Sequence, residues 1–304
     1  MLCVRKLFAP LLCLCLLCPA LALGQTLYAG GAGDEASALS RLTEYLAGSC
    51  GWEMELDDSE EEAAGGMLAN GGLCLATQQL CIRALQGYCD GDPRTDMRGV
   101  TAVACQDLFL LMNADEAEAL GIADLSGFRA YAEANEYSLI LMRSLDAGAC
   151  DRACCVLADA LCLDSEVFMD LEDMEACADE ETPYVLVVTA SDAVRLSGSG
   201  FAVLGCLSGD SPDDFPEAQS AAEAGLPMCQ AVWYGILSPA NGTGDDAAVT
   251  ASLTAAMNAD AWDALLSELH LREVEITGFA AFVTEQCADL VDYMTAEGLF
   301  FYEE

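Results

Sequence analysis

Lysine is nearly absent from this chain. One occurs among 304 residues, Lys6, and beyond it the basic side chains are nine arginines and a single histidine, His270. Against them stand 51 aspartates and glutamates, every one of them after residue 24. A surface so charged repels phosphate backbones and anionic bilayers, which excludes nucleic acid and acidic membranes as partners. With one histidine and no Gly-x-Ser-x-Gly or His-Glu-x-x-His pattern, no nucleophile–base pair or zinc helix is in view, so no catalytic or metal site is expected. The acidic clusters Asp57–Glu62 and Asp179–Glu181 lack the oxygen spacing and glycine of a calcium loop. Beyond residue 24 no apolar run reaches the ~20 residues that cross a bilayer. Internal repeats and low-complexity linkers are also missing.

The first 24 residues have the form of an export leader. Arg5 and Lys6 precede the apolar run Leu7–Cys18, and Ala20-Leu21-Ala22 offers a small-x-small cleavage site, so cleavage is expected after Ala22 or Gly24. Cys18 invites a lipid-anchor reading, but Leu17 stands where a small residue is usual. The whole sequence is 54% apolar, ample for two packed cores. Its acidity fits a salt-adapted proteome or an acidic protein in its own right. Self-repulsion at this charge favours salt, which screens it. Thirteen cysteines follow the leader. An exported chain permits disulfides, and the odd number leaves at least one thiol over. One to three disulfides are expected, with the remaining thiols acting as small core residues.

The pattern alternates between strands and helices, which indicates an α/β fold with largely parallel sheets. Strands are expected at Thr26–Ala29, Trp52–Leu56, Leu73–Ala76, Thr101–Val103, Leu108–Met112, Leu139–Met142, Val185–Thr189, Phe201–Leu207 and Val232–Leu237. Helices are expected at about Glu35–Ala47 with Asp34 as N-cap, briefly at Ala63–Gly66, and then at Ile122–Asn135, Asp151–Leu161 and Ser191–Arg195. Further helices should follow at Asp246–Asn258, Ala259–Glu268 and Phe279–Met294. The segment Asp57–Glu62 reads as a solvated acidic loop.

The stretch Ser211–Pro239, SPDDFPEAQSAAEAGLPMCQAVWYGILSP, reads as loop, short helix, turn and buried strand. Pro216 suits a first helical turn, while Gly225 and Pro227 end the helix. Pro216, Glu223, Gly225, Trp233, Tyr234, Gly235 and Pro239 match, at their offsets, a motif of the extracytoplasmic substrate-binding subunits of tripartite tricarboxylate transporters, the Bug-type solute receptors. The closing helix around Gly278–Phe282 is also similar to that family. The resemblance implies a two-lobed fold of the type II periplasmic-binding-protein kind, each lobe a mixed sheet flanked by helices. Residues 25–112 with 233–304 would form one lobe and 113–232 the other, with strand crossings near Leu108–Asn113 and Val232–Leu237 as the hinge. Trp233 and Tyr234 read more readily as strand packing than as ligand-stacking groups.

The same resemblance implies a periplasmic monomer without cofactor. It would capture a small carboxylate between its lobes and deliver it to a large and a small membrane subunit. A diverged sensory or interaction protein of the same fold is the alternative. The family's first binding loop is similar to Tyr28-Ala29-Gly30-Gly31-Ala32-Gly33-Asp34, and its second to Ala63-Ala64-Gly65-Gly66. Glycines let backbone N–H groups approach an anion, and a following helix start favours negative charge. The other lobe would contribute Ser144-Leu145-Asp146-Ala147-Gly148. Ligand-binding residues are therefore expected at Tyr28, Ala29, Gly30, Gly31, Asp34, Ala64, Gly65, Gly66, Thr77, Arg143, Ser144, Ala147, Gly148 and Asp192. Arg143 is the first choice for a carboxylate clamp, ahead of Arg152 and Arg195, though each reads equally as a surface counter-charge. Acidic residues depart from the family at Ser59–Glu62 and Met169–Asp173. Cys150, Cys154, Cys155 and Cys162 share one helix, which suits core packing, a disulfide or, least well, a metal.

Overall fold

The computed structural model describes residues 25–33, 37–135, 140–144, 148–168, 174, 182–209, 214–242, 246–274 and 278–297. The expected leader lies outside them. Two five-stranded mixed sheets form the frame. In the first, β1 (Thr26–Gly30) lies between β2 (Glu53–Asp57) and β3 (Leu73–Thr77), parallel to both. β10 (Val232–Pro239) runs antiparallel between β3 and β4 (Met97–Gln106). In the second sheet, β6 (Leu141–Ser144) runs parallel to β7 (Ser165–Val167) and β8 (Tyr184–Thr189). β5 (Leu108–Asn113) lies antiparallel between β8 and β9 (Phe201–Cys206).

Period-two alternation decides which side chains face which layer. Leu27, Ala29, Leu73, Leu75 and Ile236 face one side of the first sheet. There they meet Leu42 and Leu46 of α1 (Ala38–Cys50), Leu253 of α9 (Asp246–Met257) and Trp262 of α10 (Asp260–Glu268). Tyr28, Cys74, Ala76, Trp233 and Leu237 face the other side. Their partners are Met67 of α2 (Glu60–Asn70), Leu80 of α3 (Gln78–Leu85), and Val283 and Leu290 of α11 (Phe279–Glu297). In the second sheet, Leu108, Leu110, Met112 and Val185 pack with α5 (Leu125–Ala134) and α6 (Ala149–Leu161). Phe109, Leu111, Leu186 and Val188 pack with α7 (Ala190–Ser197). β2 is the exposed edge of the first sheet, and its Glu53 and Glu55 guard that edge against pairing with another chain.

The Trp-Tyr-Gly run finds its reason in this packing. Trp233 is 1% exposed, stacks edge-on with Phe279 at 5.4 Å between centroids, and donates from Nε1 to Gln286 Oε1. A Cβ on Gly235 would lie 2.2 Å from Phe279 Cζ, and one on Gly99 2.7 Å from Phe279 Cδ1. The two glycines on neighbouring strands thus open the slot that seats α11.

Several expectations are corrected. Ser37, rather than Asp34, caps α1, its hydroxyl accepting from Ser40 N at 3.2 Å. Glu60–Glu62 are not a loop but the first turn of α2. Ser59 caps them by accepting from Glu62 N, and acids are favoured at a helix start. Gly65 and Gly66 are therefore interior to that helix. Pro216 opens no helix; α8 (Ala221–Ala224) starts from a capping box between Ser220 and Glu223. An unanticipated helix, α4 (Ala114–Leu120), follows β5 and is capped by Asn113. β5 belongs wholly to the second sheet, so the first crossing between sheets falls at Asp107 rather than after Met112. All twelve cysteines among the described residues are free thiols, nine of them buried, so none of the expected disulfides is found there. Cys177 lies outside. Burial pushes the Cys50 and Cys105 thiols up to about 11.

Candidate functional site

The parallel strands β1, β3, β6 and β8 end at loops or helix starts, the usual place for ligands in open α/β sheets. At the end of β1, Gly30 lets α2 approach closely, since a Cβ there would lie 2.6 Å from Glu60 N. Gly31 has φ +107°, a conformation glycine adopts without strain, and its carbonyl accepts from Ser40 Oγ at 3.1 Å. At the end of β3, Thr77 caps α3 by accepting from Gln79 N at 3.1 Å. Thr77 also donates twice to the Glu60 carboxylate, from N at 2.6 Å and from Oγ1 at 2.9 Å. A backbone amide and a hydroxyl at the strand end thus already hold a carboxylate supplied by the protein.

Across the cleft, Gly148 is the N-cap of α6, which has no side-chain cap. Between α3, α6 and the segment before β10 lies a cavity of about 170 Å³. Gln78, Arg152 and Gln230 give it polar lining. Ala149, Ala153, Val156, Met228 and Cys229 supply apolar walls. Gln78 is 5% exposed, and its Oε1 is buried without a hydrogen-bond partner. Gln230 accepts from Gln286 Nε2 at 2.6 Å, tying this wall to α11. Arg152 lies 5.8 Å over the Tyr293 ring and pairs with no carboxylate among the described residues. By contrast, Arg41, Arg83, Arg94, Arg129, Arg143, Arg195 and Arg272 each hold an acid. Burial pushes the Cys229 thiol up to about 12, with the Arg152 charge opposing it.

The crossing beside the cleft is a polar joint. Asp107, 4% exposed, accepts from Arg272 Nε at 2.9 Å and Nη2 at 3.0 Å, and from Ser208 Oγ at 3.0 Å. Its carbonyl accepts from Ala190 N at 2.9 Å, the start of α7. Next to it, Gln106 donates to Ser191 Oγ at 3.1 Å and accepts from the Tyr234 hydroxyl at 3.4 Å.

Of the residues expected to bind ligand, Gly30, Gly31 and Thr77 lie at strand ends of the first sheet, and Ser144 and Gly148 at the end of β6. Asp192 is in the first turn of α7, where it pairs with Arg195 at 2.8 Å. Others are placed differently. Tyr28 and Ala29 are core residues of β1, and the Tyr28 ring packs against Gly66 and Gly72. Buried Ala64 and half-buried Gly65 and Gly66 lie within α2 rather than in a loop, because Ser59 starts the helix one turn earlier. Arg143 is 3% exposed and lies 3.3 Å from Glu166, with the Phe168 and Tyr184 rings on its face at 4.9 Å and 5.5 Å, and its Nε and Nη1 are buried without a hydrogen-bond partner. Asp34 and Ala147 lie outside the described residues. Glu60 and Gln78 were missed. The Ser59-x-x-Glu62 spacing was the available signal for the first, as a helix start, and Gln78 follows directly from the end of β3.

No family model matches the sequence, and no curated protein matches it. Solved structures do resemble the fold. A TctC solute-binding protein from Polaromonas has a TM-score of 0.68 at 12% identity, covering 89% of this chain and 98% of its own. MatC from Rhodopseudomonas palustris with bound malate has a TM-score of 0.61 at 18% identity, covering 90% and 98%. Another R. palustris protein, with adipate, has 0.64 at 15%, covering 90% and 96%. The chain therefore has the two-lobed α/β fold of TctC- and Bug-type periplasmic solute-binding proteins, as the resemblance in its sequence implied.

Proposed function

We propose that this chain is an extracytoplasmic solute receptor of the tripartite tricarboxylate transporter type. It captures a small carboxylate between its lobes and delivers it to a permease made of a large and a small membrane subunit. The observation that carries this reading is Arg152. In a chain so rich in acid it keeps its guanidinium without a carboxylate partner among the described residues, on the wall of a cleft cavity. Guanidinium groups bind carboxylates through paired N–H bonds. The neighbours' malate and adipate support the substrate class.

On this reading Arg152, Gln78, Gly148 and the strand-end glycines position the ligand, and the lobes close over it about the crossing at Asp107. The protein acts in the periplasm as a monomer, without cofactor and without catalysis. A micromolar receptor needs about −8 kcal/mol, within reach of one arginine, an amide side chain and a helix start. Thermal-shift titration of the leader-free protein against mono-, di- and tricarboxylates, at low and high salt, tests the reading. At least one carboxylate should raise Tm in a saturable way. No shift with any of them at either salt overturns it.

A further inference from the structure

Resting on that reading, we infer that the cleft selects a monocarboxylate with an apolar body and rejects di- and tricarboxylates. The first observation is Glu60. The Thr77 amide and hydroxyl, next to the cavity residue Gln78, form a demonstrable carboxylate cradle, and Glu60 fills it through two bonds of 2.6 Å and 2.9 Å. An incoming carboxylate on that side would have to displace it or lie against its charge. The second observation is the cavity lining. Among the described residues it offers a single cation, Arg152, and otherwise the amides of Gln78 and Gln230 with alanine, valine, methionine and cysteine walls. Val156 and Met228 stay 36% and 53% exposed at the cavity, apolar surface that a hydrocarbon body would cover. The first turn of α6 adds Asp151, a further charge against a second carboxylate.

Size agrees. A cavity of about 170 Å³ is comparable with the ~150 Å³ apolar cavity that takes up benzene, so it suits a ligand of about six or seven heavy atoms. The carboxylate would pair with Arg152, the hydrocarbon would lie on Ala149, Ala153, Val156 and Met228, and Gln78 would offer its unpaired amide to any polar substituent.

Isovalerate and succinate make a matched pair of similar size that differ by one carboxylate. Calorimetric titration of the leader-free full chain should show isovalerate binding at least tenfold more tightly than succinate. Glu60→Gln should raise succinate affinity about tenfold and leave isovalerate within threefold. Arg152→Gln should weaken isovalerate at least tenfold, and Gln78→Met supplies a second cleft variant should Arg152→Gln lower Tm. Succinate binding as tightly as isovalerate to the parent overturns the selectivity while leaving the carboxylate-receptor reading standing. So does an unchanged ratio in a folded Glu60→Gln protein. Failure of every carboxylate removes both.

Discussion

Replacing Asp107 should test the joint between the sheets directly. Its carboxylate holds Arg272 by two bonds and Ser208 by a third, and is 4% exposed. A hydrogen bond to a charged group contributes about 1.5–3 kcal/mol when its partner is buried. The Arg272 side chain is 43% exposed, so water recovers much of what its guanidinium would lose. Asp107→Asn keeps the shape and the Ser208 contact but removes the charge, for an expected loss of about 2 kcal/mol. Asp107→Ala also strands the Ser208 hydroxyl, for a loss of about 3 kcal/mol. With an unfolding entropy of ~2.1 cal/mol/K per residue over roughly 280 residues, these become Tm decreases of about 3 °C and 5 °C. Scanning calorimetry reads them. Combining Asp107→Asn with Arg272→Gln should cost less than the sum of the single changes by about 1 kcal/mol, since both remove one interaction. An unchanged Tm in Asp107→Ala, or strict additivity in the double variant, would refute the assignment.

Three further outcomes follow from the packing and the charge. Gly235→Ala pushes a methyl into the rigid Phe279 ring and should cost about 1–3 kcal/mol, with partial recovery when Phe279→Leu is added; equal Tm values for parent and Gly235→Ala would refute the slot. Raising NaCl from 0.01 M to 1 M shortens the screening length from ~30 Å to ~3 Å, so Tm should climb across that range, and a flat response would contradict self-repulsion as a destabilising force. Acid titration should separate two groups of carboxyls. Burial pushes Glu61 up, but Arg83 and the helix-start bonds outweigh it and hold it low, while Arg94 holds Asp92 low. Their stabilisation is complete above the unfolded carboxyl values and is lost as pH falls through the depressed folded ones. Asp57 is held high by burial and by Glu55 and Asp58, so its ionisation opposes folding as pH rises. Asp57→Asn should therefore gain Tm at pH 7 and lose that gain toward pH 3.5, whereas Glu61→Gln should lose Tm at pH 7 and converge with the parent in acid.

The frame was legible because burial alternates along its strands. Val232–Leu237 is apolar throughout and occupied on both faces, and its glycine answers to a single ring on α11. The helix ends were harder. Ser37 and Asp34 are equally good caps in sequence, and only the chain's path favours the serine. Glu60–Glu62 resembled a solvated loop because three adjacent acids look unpaired in sequence. In the fold Glu60 reaches Thr77, and Glu61 reaches Arg83 at 2.6 Å, partners 17 and 22 residues away. Arg143 and Arg152 posed the same difficulty. Both precede or open a helix in the second sheet's half, but the acid that claims Arg143 comes from β7, a strand the sequence did not announce.

The direct passage from β4 through Asp107 to β5 has a mechanical consequence. Only Asp107 separates β4 of one sheet from β5 of the other, so torque on one lobe reaches the other through the peptide units flanking a single residue. The return from β9 to β10 is longer and includes the one-turn helix α8. Load should therefore travel along the first connection and length changes should collect in the second. An inserted residue at Asp107 would rotate every β5 side chain onto the opposite face of its sheet, while the same insertion near Pro227 would only lengthen a loop.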